Sequence, residues 1–97
     1  NLEKAIFFMN KSLEISAGYA PALVELSSIM VKRQNYDKAE KLIERFNKIS
    51  QPTALSLYTE YLISDKKGYL NKTKRLKILL KNLFPFSEEN KRISNSF

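Results

Sequence analysis

Ninety-seven residues allow one domain at most, or a piece of one. Hydrophobic residues make up 43%, enough for a packed core, and 17 Lys and Arg against 10 Asp and Glu give a formal net charge of +7. The absence of Cys, His and Trp excludes Cys/His zinc sites, cysteine nucleophiles, Ser-His-Asp triads, His- or Cys-ligated haem and disulfides, and two glycines are too few for a Gly-rich phosphate cradle.

The chain starts at Asn1 without Met, already in helical pattern, and so reads as a fragment or processed piece. No run approaches the ~18 apolar residues of a membrane span, and no signal peptide is visible. The first predicted helix, 2–16, carries Leu2, Ala5, Ile6, Met9 and Leu13 at the 3.6-residue period that places them on one face. Gly18 follows, suited to a left-handed closing position. The second helix, 20–33, is marked by Tyr19, Leu23, Leu26 and Met30, and Gln34-Asn35 makes a short polar turn after it. The third, 36–49, carries Ala39, Leu42, Ile43 and Phe46 and ends at Ser50-Gln51-Pro52, with Pro52 suited to the first turn of the next helix. The fourth, 53–65, carries Ala54, Leu57, Tyr58, Tyr61 and Leu62 and is closed by Lys66-Lys67-Gly68. The fifth, 70–84, carries Leu76, Leu79, Leu80 and Leu83 and stops at Pro85. Residues 86–97 read as a polar tail with room for a short helical turn. Nothing alternates as a strand would. The fold class is all-α, about five helices plus a short C-terminal tail, and connections this short make neighbouring helices antiparallel.

The pattern repeats. Ala5, Ala39 and Thr73 are 34 residues apart, as are Tyr36 and Leu70, Leu23 and Leu57, Leu42 and Leu76, and Phe46 and Leu80. A 34-residue period of paired helices is that of the tetratricopeptide (TPR) repeat, which predicts an α-α superhelix. On this reading the chain is a single TPR-like domain fragment: 1–17 the second helix of a truncated repeat, 20–51 a TPR, 54–85 a divergent TPR and 86–97 a tail. In the middle unit, small Ser27 lets the partner helix approach and Ala39 sits at the close crossing. In the third unit Tyr61 takes the small position, Glu60 replaces a large residue and Ser64 stands where Met30 does.

TPR stacks bind partners in a groove lined by the first helix of each pair. Repeat positions nominate Val24, Ser28 and Val31, and then Leu55, Tyr58 and Leu62, as groove residues. The apolar ones are expected to face solvent and to suit an extended or helical peptide, or else to pack locally. Tyr58 offers the best anchor. Residues 66–81 hold seven Lys and Arg and no acid, and Lys74, Lys77 and Lys81 form a stripe that either contacts an anionic partner or is a solvated face. Glu40 and Glu44 share a helix face with Lys41, Arg45 and Lys48 near them, and Asp65 is flanked by Lys66 and Lys67, so surface pairing outweighs catalysis. No enzyme activity, cofactor or metal is expected. Asn71-Lys72-Thr73 formally matches a glycosylation acceptor, a weak pattern.

In order, the chain presents Lys11-Ser12-Leu13, an ALxEL-like stretch from Ala22 to Leu26, a Tyr-led helix from Tyr36 to Phe46, a helix without glycine at its small position, and LxxLFP from Leu80 to Pro85. This layout resembles the C-terminal repeats of the PilF/PilW family of type IV pilus biogenesis lipoproteins, the pilotins. The resemblance implies a non-catalytic module on the periplasmic side of the outer membrane, held by a lipid anchor outside this chain, which assists localisation and assembly of the secretin by capturing a secretin segment. A generic TPR adaptor or scaffold in another pathway is the alternative; a basic nucleic-acid-associated helical repeat and a regulatory repeat attached to an enzyme are weaker ones. The half repeat at the start leaves an apolar face on residues 2–16, which raises self-association.

Overall fold

A computed structural model describes residues 2–15 and 19–94, with side chains for all of these except 12–15. Gly18 and the Leu13 side chain, both assigned roles above, lie outside the described residues. Six helices occur among the described residues: α1 (Leu2–Ile15), α2 (Ala20–Lys32), α3 (Tyr36–Ile49), α4 (Ala54–Lys67), α5 (Leu70–Leu83) and α6 (Glu88–Ser94). No strand occurs among the described residues. The helix starts carry the repeat: α1, α3 and α5 begin at residues 2, 36 and 70, and α2, α4 and α6 at 20, 54 and 88. The chain divides into two compact units, Asn1–Gln51 and Pro52–Phe97.

In the first unit α2 packs against both α1 and α3. The turn after α2 is built from Arg33, Gln34 and Asn35. Gln34 takes a left-handed φ of 63°, the Asn35 N–H donates to the Met30 carbonyl at 2.8 Å, and the Asn35 side chain accepts from the Lys38 N–H at the start of α3. This turn reverses the chain and brings Ser27 against Ala39. Both are fully buried, and the Ser27 hydroxyl donates to the Ala39 carbonyl at 2.8 Å. That contact is the close crossing the sequence predicts: only two small side chains let the helix backbones come near enough for it. Leu23, Leu26, Met30, Leu42, Ile43 and Phe46 are buried. An ion pair between Arg33 and Glu3 ties the end of α2 to the start of α1.

The second unit starts with a capping box. Thr53 accepts from the Ser56 N–H and Ser56 accepts from the Thr53 N–H, at 3.0 and 2.8 Å. Thr53 is the N-cap, so Pro52 stands just before the helix and not in its first turn as expected. Gly68, with φ 77°, closes α4 in the left-handed conformation, as the Lys-Lys-Gly ending predicts. The core is Leu57, Leu76, Leu80 and Ile93, with Ala54, Tyr58, Tyr61 and Phe84 packed against it. Ile93 belongs to α6, which packs on both α4 and α5. The stretch read as a polar tail is therefore in large part a packed helix. Ser87 caps it, accepting from the Asn90 N–H at 3.1 Å while donating to the Phe84 carbonyl at 2.8 Å.

Four residues assigned to apolar stripes are exposed: Leu2, the first residue of α1, and Tyr19, Leu79 and Leu83. Tyr19 is the N-cap of α2 and precedes the helix proper. Leu79 is rotated about 100° from Leu80, whose side chain is the one in the core. Leu83 sits in the last turn of α5.

Candidate protein-binding surfaces

On α2 the open strip is Pro21, Glu25 and Lys32, with Ser28 half-buried among them. The spacing of these four, i, i+4, i+7 and i+11, defines one face. Val24 lies one position off that face and is 5% exposed, so the expectation that it faces solvent is corrected: a helix packed on two neighbours keeps only a narrow strip open. Val31 is half-buried at the edge of the strip. The accessible part of the nominated α2 set is Ser28 and Val31.

On α4, Leu55, Tyr58 and Leu62 are half-buried at i, i+3 and i+7. Tyr58, the expected anchor, has ring contacts of its own. Its ring stacks on Tyr61, with centroids 6.3 Å apart and planes at 20°, and the Arg92 guanidinium of α6 lies 5.8 Å from its centroid. The face of α4 that carries Tyr58 is thus partly occupied by α6, and Leu55 and Leu62 are its remaining apolar positions.

The departures of the second unit from the repeat pattern are absorbed locally. Glu60, where Leu26 stands in the first unit, pairs with Lys72 of α5 at 3.2 Å. The Ser64 and Thr73 hydroxyls lie 2.8 Å apart, with the Tyr69 carbonyl 3.2 and 2.8 Å from them, so that one hydroxyl can donate to the other while the second donates to that carbonyl. The polar crossing contact has moved from the Ser27 position to the Ser64 position, one turn along. Tyr61, freed from the crossing, packs on the core that α6 completes. Burial first, and then the nearby Asp65 carboxylate and Tyr58, push the Tyr61 phenol above its ordinary value of 10.0.

Of the basic stripe, Lys74 and Lys81 are exposed and Lys77 is half-buried. Lys77 and Lys81 line an open cleft of about 330 Å³ between α5 and α6 together with Ile78, Asn90, Ile93 and Ser94; Lys74 is not part of its lining. Sequence reasoning missed Asn90, Arg92 and Ile93. The signal was there: Ser87-Glu88-Glu89-Asn90 is a helix start with acidic residues in its first turn, placed one repeat period after the start of α4. No group of three or more His, Cys, Asp or Glu side chains that could hold a metal converges among the described residues, and no described helix is long and apolar enough to cross a membrane.

No family model and no curated protein matches the chain. Among solved structures it is similar to the pilF protein of Pseudomonas aeruginosa, with a TM-score of 0.89 at 19% identity. The match covers 99% of this chain and 43% of that one, so the chain spans less than half the length of that protein. The likeness shows the fold, TPR-like and all-α.

Proposed function

We propose that the chain is a non-catalytic TPR protein-interaction module that assists assembly of a pilus secretin at the outer membrane, in the manner of a pilotin, from the periplasmic side and through a lipid anchor outside this chain. The observation that carries the reading is the agreement of fold with P. aeruginosa pilF over nearly the whole chain, joined to the order of motifs from Lys11-Ser12-Leu13 to the terminal LxxLFP. The half-exposed apolar residues of the first helix of each pair, Val31 on α2 and Leu55 and Leu62 on α4, are of the type that hold an extended or helical peptide. Ser28 flanks Val31 and offers a hydroxyl to a peptide backbone.

Titration of the purified chain with secretin segments tests this. One segment should bind saturably, and Val31→Ala and Leu62→Ala should each weaken it about tenfold, as removal of a central apolar anchor does. Tyr58→Ala should weaken it less, because that ring is engaged by Tyr61 and Arg92. Secretin binding unchanged by Val31→Ala and Leu62→Ala together removes the groove assignment. No secretin segment binding at all removes the pilotin reading.

A further inference from the structure

The α5–α6 cleft combines three features. Ile78, on α5, is 59% exposed at its lining, and Ile93, on α6, lines it while being 5% exposed. Lys77 and Lys81 stand beside Ile78, within a stretch, 66–81, that holds no acid. Along the same flank of α5, Leu70 and Lys74 precede Ile78 at intervals of four, and Leu70 is 73% exposed. The flank thus alternates apolar and cationic side chains over about two helical turns and ends in a concavity.

We infer that this cleft docks an acidic amphipathic helix of a partner protein, with one bulky apolar side chain seated between Ile78 and Ile93 and carboxylates flanking it at Lys77, Lys81 and Lys74. The charge argues for an acidic occupant: the second unit carries nine Lys and Arg against four acids, and an incoming carboxylate meets the exposed Lys81 at the cleft or Lys74 along the same flank of α5. Shape argues for a helix over a bilayer. A concave cleft of about 330 Å³ is filled by a side chain projecting into it, and the planar surface of a membrane would leave it unfilled. The repeat supplies the geometry. The helices beginning at residues 20 and 54 each pack against a following helix, and α6 begins at the next interval of the period, with the cleft on its flank. A partner helix lying there meets α5 and α6 as one more helix of the array. The inference rests on the interaction-module reading only in taking the ligand to be protein; it uses a different surface.

The probe is a fluorescent synthetic peptide of about four helical turns with Leu at i, i+3, i+4 and i+7 and Glu at most other positions, titrated into the full chain by anisotropy. Saturable binding is expected, weakened about tenfold by Ile78→Ser and similarly by Lys81→Glu. Ile78 and Lys81 are exposed, so circular dichroism should show unchanged helicity for both. A peptide with Lys in place of Glu should not bind. The inference is overturned if the acidic peptide does not bind, if the Lys peptide binds equally, or if the double variant binds as the parent does. It is also overturned if phosphatidylglycerol vesicles bind in an Ile78- and Lys81-dependent way while the peptide does not, which assigns the face to a membrane. Leu62→Ala leaves peptide binding unchanged if the two surfaces are separate, so failure of the secretin test and failure of this one are told apart.

Discussion

Single residues set how near two helices come. Ala39 is fully buried, and its carbonyl receives the Ser27 hydroxyl at 2.8 Å, leaving no room for a longer side chain. Ala39→Leu should destabilise the first unit by about 1–3 kcal/mol through overpacking, read as a lower urea midpoint of the full chain; an unchanged midpoint means the crossing is looser than described. In the second unit the same economy takes another form. Glu60 and Lys72 pair on a partly buried surface, where the repeat has a large apolar residue. Replacing both members of such a pair by hydrophobes of similar size is often neutral or favourable, whereas removing one member weakens the compensation of the other's charge. Glu60→Leu combined with Lys72→Leu should therefore hold or raise the urea midpoint, and Lys72→Ala alone should lower stability by about 1–2 kcal/mol, less than for a fully buried pair because Lys72 is partly solvated. The reverse order contradicts the pairing. Tyr61 adds a pH dependence. Its folded-state pKa lies above the ordinary 10.0, so in alkaline solution the unfolded chain loses the phenolic proton first and stability falls as pH rises through that value. Thermal unfolding from pH 8.5 to 11 should show a shallower decline for Tyr61→Phe than for the parent; equal slopes place the loss elsewhere.

Among the elements, α6 is the one whose weight exceeds its length. Seven residues supply Ile93 to the core and Arg92 to the Tyr58 ring. Ile93→Ala should cost about 2 kcal/mol, the low end for burying an isoleucine because the helix is short and partly solvated. Hydrogen exchange should locate the effect, with faster exchange in α6 and at the ends of α4 and α5 but not in α2 and α3; uniform acceleration would show that the two units unfold together. Five of the six helices were legible because each carries several apolar residues at helical spacing, and that signal is redundant. α6 carries Ile93 alone at its core, so periodicity had nothing to count, and only its Ser87 cap and its place in the period gave it away. The site residues were legible to a different depth. Repeat positions place a residue on a helix face to within about one position: Leu55 and Leu62 are half-buried, whereas Val24, one position off the open strip, is buried, since neighbouring positions are about 100° apart. The contact of Tyr58 with Arg92 was not legible, because it comes from α6. The cleft needed both α5 and α6, so Lys77 and Lys81 were visible only as charges.

At the scale of the whole molecule, charge and apolar surface oppose one another. The net charge of +7 keeps copies apart, while α1 turns apolar groups outward: Leu2, Phe7 and Phe8 are 40%, 57% and 56% exposed. The two phenylalanine rings meet edge to face at 5.7 Å, and Lys11 lies 5.9 Å from the centre of the Phe7 ring. Ala5, Ile6 and Met9 are half-buried in a helix that packs on α2, so the phenylalanines are not needed for that contact. A contiguous aromatic patch of this kind drives association when repulsion permits. Added salt screens the repulsion between copies and does not weaken apolar contacts. Sedimentation velocity should therefore show association that grows with concentration and with ionic strength, and Phe7→Ser with Phe8→Ser should return the chain to monomer at unchanged helicity. Association that weakens with salt would instead make ion pairing between the basic second unit and acids of another copy the cause, and a monomer at every salt concentration would mean that the exposed rings are too small a patch to overcome the charge.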